Sequence, residues 1–272
     1  RMPRILAKVE NSGGLANVGE VCDAADAIMI DRGDLSVETD IESMALSQKR
    51  IIDAAREYGK PVIVATEMLH SMIENPFPTK AEVSDISNAV LDGCDATMLS
   101  GETAIGAFPT EAVSIMRRVS EASTTHLRSQ SRKANPSLSA TVPSVVDEAI
   151  SLICRSLPIS KIVAITRSGF AARTLASHKP AQPILAVTDD PVVVRSLNLY
   201  FGTQGVLVDI PFSRTSTDHI PKCMELLWQQ GKIDAKDLIL LTAVGYPRSG
   251  NRMNLLQIHA VEDLIENLGW QS

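Results

Sequence analysis

No apolar run in this sequence approaches the ~20 residues that a membrane-spanning helix needs, so no segment reads as one. Cysteine is scarce. Cys22, Cys94, Cys154 and Cys223 stand far apart with no Cys-x-x-Cys spacing. That argues against a disulfide framework or a zinc site and points to free thiols in a reducing cytosol. Positive charge is in the minority: 26 Lys and Arg against 32 Asp and Glu leave a formal charge of -6. Nucleic acid or an anionic membrane is therefore not expected as the main partner. Ser-His-Asp, His-Glu-x-x-His, zinc and dinucleotide-binding fingerprints are all missing, and His70, His126, His178, His219 and His259 are scattered without pattern. No secretory leader is seen. The opening Arg1-Met2-Pro3-Arg4 runs straight into a strand-like segment, which reads as an internal piece of a longer, cytoplasmic protein.

The composition is that of a globular chain, 44% hydrophobic and 21% charged over 272 residues, enough for one large domain or two medium ones. The first 126 residues alternate strand and helix. Short apolar runs at Ile5 to Val9, Ala27 to Ile30, Pro61 to Ala65 and Ala96 to Leu99 predict strands of a parallel sheet. Helices are predicted over Ser43 to Tyr58, stopped by Gly59 and Pro61, and after the capping box Thr79-Lys-Ala-Glu82, ending at Gly93. A third helix starts at Pro109. Four βα units fit either a doubly wound sheet or half of an eight-stranded barrel, and both place ligand chemistry at the carboxyl ends of the strands.

Ser129 to Ser144 is rich in Ser, Pro, Asn and basic residues and reads as a linker or helix end. Beyond it the alternation resumes. Helices are expected at Val145 to Leu157, Gly169 to Lys179 (entered through Ser168), Pro191 to Leu199 and Thr217 to Gln230. Strands are expected at Lys161 to Thr166, Ile184 to Val187, Val206 to Val208, Leu238 to Thr242 and Leu256 to Ala260. This predicts a second α/β domain with about five strands.

Several segments could carry chemistry. Lys8 and Glu10 lie two apart on one strand and project together, as a salt bridge or as a cation beside a metal ligand. Asp31-Arg-Gly-Asp34 follows the second strand. Gly33 lets backbone N–H groups approach an anion, and Asp34 offers hard oxygen to Mg2+ or Mn2+, or caps a helix. Thr66 ends the third strand, with its hydroxyl toward a substrate or bonded to backbone. Ser100 and Glu102, after the fourth, form a proton relay or only a turn. Thr166-Arg-Ser-Gly169 runs from strand to helix N-terminus and suits a phosphate, or is a plain N-cap at Ser168.

Together these segments resemble pyruvate kinase. Ile5-Leu-Ala-Lys-Val-Glu-Asn11 looks like that family's strand with the catalytic lysine and metal glutamate, and Ile28-Met-Ile-Asp-Arg-Gly-Asp-Leu35 like its metal-aspartate loop. Val64-Ala-Thr-Glu-Met-Leu69, Pro78-Thr-Lys-Ala-Glu-Val-Ser-Asp85 and Leu99-Ser-Gly-Glu-Thr-Ala104 are similar to further family hallmarks, in the same order and spacing.

The resemblance implies an α/β chain: strands five to eight of a TIM (β/α)8 barrel over residues 1–130, then the family's regulatory α/β domain, with a mostly parallel five-stranded sheet, over 131–272. It implies phosphoryl transfer from phosphoenolpyruvate to ADP, giving pyruvate and ATP in glycolysis. Lys8, Thr66 and Ser100 would be catalytic, and Glu10 and Asp34 would bind Mg2+ or Mn2+. Lys8, Gly33, Asp34 and Thr66 would hold substrate. A sugar-phosphate or AMP effector would meet Thr166, Ser168 and Gly169, although Phe170 stands where a polar or basic residue is common. Family members assemble as homotetramers. Their first four barrel strands, lid domain and K+ ligands would precede Arg1, so the chain alone is expected to be inactive. Asp31 replaces a usual small residue and Ser36 a usual glycine, both beside the metal loop, where they would alter carboxylate binding. Two other classes compete: a Mg2+-dependent oxo-acid aldolase or lyase, which Lys8 and the second domain argue against, and a non-catalytic binding module with a relic site.

Overall fold

The computed structural model describes residues 3–129, 142–213, 216–244 and 253–270. The chain divides into two compact units, Arg1–Gln130 and Ser131–Ser272. Most of the stretch read as a linker lies outside the described residues. Among the described residues no helix is long and apolar enough to cross a membrane.

The first unit runs β1 (Leu6–Val9), α1 (Ser12–Ala16), α2 (Val18–Ala24), β2 (Ala27–Asp31), α3 (Arg32–Glu38), α4 (Met44–Glu57), β3 (Val62–Ala65), α5 (Lys80–Asp92), β4 (Ala96–Thr97), α6 (Gly101–Ala104) and α7 (Pro109–Ser129). Its strands form one parallel sheet in the order β1-β2-β3-β4. Val9, Ile28, Ile30, Val62 and Val64 share one face and are buried with Ile51, Ile52 and Ile86 of the helices. Each such side chain contributes roughly 1.5–3 kcal/mol relative to exposure. The other face carries Lys8, Met29 and Ile63, none of them buried. The pairing Lys8↔Met29 and Val9↔Ile30 then brings Glu10 beside Asp31 on that second face.

The capping box forms as the sequence predicts: Thr79 accepts from the Glu82 N–H, and Glu82 accepts from the Thr79 N–H. Glu82 also accepts from the N–H and hydroxyl of Ser71, tying the turn before α5 to the helix. Burial pushes this carboxyl up, but the hydrogen bonds from Ser71 and Thr79 outweigh burial and hold it below its ordinary 4.5. The unfolded chain thus binds this proton more readily, and stability rises with pH. The contribution is complete above about 4.5 and is lost as pH falls through the lower folded value. Urea titrations of Glu82→Gln are expected to show a lower, flatter acid limb than wild type, with the two curves separating most above pH 4.5.

The second unit runs α8 (Val142–Ser156), β5 (Lys161–Ile165), α9 (Phe170–Ser177), β6 (Ile184–Thr188), α10 (Pro191–Leu197), β7 (Thr203–Leu207), α11 (His219–Gln229), β8 (Leu238–Ala243), β9 (Leu255–Ala260) and α12 (Val261–Leu268). The sheet order is β7-β6-β5-β8-β9, parallel except for β9, which runs antiparallel to β8. Apolar clusters cover both sides, and β6 is buried along its whole length, as parallel strands between helices should be. The strand order reverses between β5 and β8, the switch point at which open α/β sheets commonly bind ligands.

Candidate active site

Four side chains converge at the carboxyl ends of β1 and β2. The Lys8 ammonium lies 2.5 Å from Glu10 Oε2, 2.7 Å from Asp31 Oδ2 and 3.0 Å from Asp34 Oδ2. The ligand oxygens of Glu10, Asp31 and Asp34 all fall within 4.8 Å of one another. The strand pleat aligns Lys8 with Glu10, the register adds Asp31, and the first turn of α3 adds Asp34. Hydrogen bonds to Asp31 above all, then to Glu10 and Asp34, hold the ammonium well above an ordinary lysine's range. Burial pushes Asp31 up, but hydrogen bonds from Lys8, the Asp34 amide and Thr66 prevail and set it below the usual carboxylate range.

Two local expectations change. Asp34 does not stand in a loop, because α3 begins directly after β2. Asp31, not Asp34, caps that helix, its Oδ1 accepting from the Asp34 N–H at 3.4 Å. Gly33 donates its N–H to Thr66 Oγ1 at 2.9 Å. A Cβ at Gly33 would meet Asp31 Oδ1 at 3.5 Å and Thr66 Oγ1 at 3.7 Å, ordinary contacts that would fill the space over these amides. Ser36 donates its hydroxyl to the Gly33 carbonyl, on the side away from the N–H groups.

Thr66 and Glu67 both have positive φ, 66° and 56°, a costly conformation for a β-branched residue. Arg32 holds it in place. Its buried guanidinium donates to the Thr66 carbonyl and to Asp85 on α5, each at 2.8 Å. The Thr66 hydroxyl proton has two acceptors, Asp31 Oδ1 at 3.1 Å and the Ala65 carbonyl at 2.6 Å.

Ser100 is set apart from this cluster. Its N–H donates to Glu102 Oε2, and Glu102 Oε1 accepts from the Leu69 N–H. Glu102 is thus a buried brace between the turns after β3 and β4, with both oxygens already accepting from main-chain N–H groups. Among the described residues no hydrogen bond joins Ser100 to Lys8, Glu10, Asp34 or Thr66.

In the second unit α9 is not entered through Ser168. Gly169 takes the cap position at φ +81°, and its N–H donates to Thr166 Oγ1 at 3.0 Å. That positive φ explains the glycine, because an L side chain there would be strained whatever space it had. Of the three residues expected to meet an effector, Ser168 is exposed while Thr166 and Gly169 are buried.

Two family models match the chain: "Pyruvate kinase, barrel domain" over residues 1–113, and "Pyruvate kinase, alpha/beta domain" over 144–259. The chain belongs to the pyruvate kinase family. The pyruvate kinase of Geobacillus stearothermophilus is 37% identical over 265 residues, covering 96% of this chain and 45% of the relative. That of Borreliella burgdorferi is 36% identical over 266 residues, covering 97% of this chain and 55% of the relative. The crystal structure of a pyruvate kinase from Cryptosporidium parvum superposes with a TM-score of 0.81 at 33% identity, over 95% of this chain and 51% of that one. The chain thus spans about half the length of these pyruvate kinases. Its four parallel strands and helices are a fragment of the family's barrel, followed by the family's α/β domain.

Sequence reasoning set Asp31 beside the metal loop, where it could alter carboxylate binding, but gave it no contact with Lys8, and it gave Arg32 and Asp85 no role. The available signal for Asp31 was its spacing, two residues after Met29 and so on the same face if β2 runs one residue past its apolar stretch. The Arg32–Asp85 pair spans 53 residues and left no local signal.

Proposed function

We propose that the cluster is part of a pyruvate kinase active site, which moves the phosphoryl group of phosphoenolpyruvate to ADP and yields pyruvate and ATP. The observation that carries this reading is the convergence of Lys8, Glu10 and Asp34 at adjacent strand ends. The donor set fits Mg2+ or Mn2+: hard carboxylate oxygens close enough to share one ion, with Glu10 and Asp34 as the ligands. When bound, the ion supplies positive charge that neutralises phosphoryl and enolate oxygens. The chain's own residues do the rest. Lys8 sets an ammonium where negative charge develops as the phosphoryl group leaves. The N–H groups of Gly33 and Asp34 orient the substrate carboxylate, and the Thr66 hydroxyl faces the enolate carbon that takes a proton. Ser100, braced by Glu102, is given no step. K+, a tetramer, a cytoplasmic location and an effector near Ser168 belong to the same reading through the family.

A closed (β/α)8 barrel needs eight strands, and among the described residues the first sheet supplies four. The 272-residue chain alone is therefore expected to make no pyruvate. Fused in place of the matching half of the Geobacillus stearothermophilus relative, it is expected to make pyruvate from ADP and high concentrations of phosphoenolpyruvate only when Mg2+ or Mn2+ is present. Robust turnover by the chain alone, or a folded fusion with none, contradicts the proposal.

A further inference from the structure

The cluster holds one carboxylate more than the proposed chemistry uses. Asp31 Oδ2 lies 2.7 Å from Lys8 Nζ. Its Oδ1 accepts from the Thr66 hydroxyl at 3.1 Å and from the Asp34 N–H at 3.4 Å, and its side chain is 11% exposed. The neighbouring Gly33 N–H is taken by Thr66 Oγ1 at 2.9 Å. The donors assigned above to a substrate carboxylate are thus already engaged, directly or through Thr66, with an anion belonging to the chain.

We propose that Asp31 is a specificity-determining residue: an internal competitor for the carboxylate of the incoming substrate, which weakens the binding of carboxylate ligands. The inference rests on the functional reading above. Charge leads to the same result. With a divalent ion bound, one ammonium and three carboxylates leave the cluster neutral. A neutral side chain at position 31 would leave a net positive charge for an anionic substrate. Like charges held a few ångströms apart discriminate strongly against a ligand, so the residue tunes affinity by repulsion as well as by occupancy.

The test uses the 272-residue chain with Mn2+. Mn2+ binding is followed by electron paramagnetic resonance and phosphoenolpyruvate binding by calorimetry, for wild type, Asp31→Ala and Asp31→Asn, with thermal melts to confirm folding. Asp31→Ala is expected to bind phosphoenolpyruvate at least about tenfold more tightly than wild type, a gap of ~1.4 kcal/mol. Asp31→Asn keeps the acceptor but loses the charge, and is expected to gain less in the same direction. If Asp31→Ala does not fold, Asp31→Asn decides. Mn2+ bound in all three with no gain in either folded variant, including no ligand binding at all, overturns this inference and leaves the metal site standing. Absence of Mn2+ binding in wild type overturns both.

Discussion

Lys8→Met, introduced into the fusion with the Geobacillus stearothermophilus half, is expected to lower turnover by about a hundred- to a thousandfold, the usual loss when one aligned donor to a developing negative charge is removed. The loss should fall on kcat more than on KM, because the ammonium acts most strongly on the charge that appears in the transition state. Metal affinity should move the other way. Lys8 is the cation that Glu10, Asp31 and Asp34 now share, at 2.5 to 3.0 Å. Its removal leaves those carboxylates with stronger demand for a divalent ion. Steady-state kinetics and an Mn2+ titration of the same variant check both signs. A fall in metal affinity together with turnover would mean that Lys8 only holds the three carboxylates in place.

Asp34→Ala is expected to weaken Mn2+ binding by about a hundredfold, ~2.7 kcal/mol, while leaving the fold nearly intact. The structural reason is that Asp34 contributes little to packing. Its side chain is 64% exposed, and it pairs only with Lys8 among the described ion pairs. As an acid in the first turn of α3 it favours the helix by about 0.3–1 kcal/mol at most. Arg32 is different. Its guanidinium is 9% exposed and bonds to Asp85 and the Thr66 carbonyl, so it maintains the strained turn after β3. Calorimetric melts and Mn2+ titration separate the roles: Asp34→Ala should lose metal with little change in melting temperature. A drop of many degrees with metal binding retained would contradict the assignment.

How legible all this was depended on distance along the chain. The capping box at Thr79 and Glu82 is a four-residue pattern with its own chemistry, and it forms as read. Lys8 and Glu10 needed only the two-residue period of a strand. Asp31 was harder, because the apolar run stops at Ile30 while the strand continues one residue further. A polar residue can end the strand there because its side chain finds Lys8 and Thr66, contacts no local window displays. On β7, Thr203 to Gly205 carry little apolar signal because the strand lies at a sheet edge, so only its end at Val206 was visible. The short helices α1, α2 and α12 escaped notice for another reason. Gly13 and Gly14 give α1 little helical signal, although Asn11 caps it through the Gly14 N–H, and α12 follows β9 with no breaker between them. The apolar run predicts β4 as far as Leu99, but the strand pairs only at Ala96 and Thr97.

The most direct measurement is the anomalous scattering of Mn2+-soaked crystals of this chain. A single strong peak is expected between the carboxylates of Glu10 and Asp34, at about 2.1 Å from oxygen, the spacing of a small hard divalent ion. No peak at that position, or a peak held by other residues while Glu10 and Asp34 remain paired with Lys8 alone, would contradict the account.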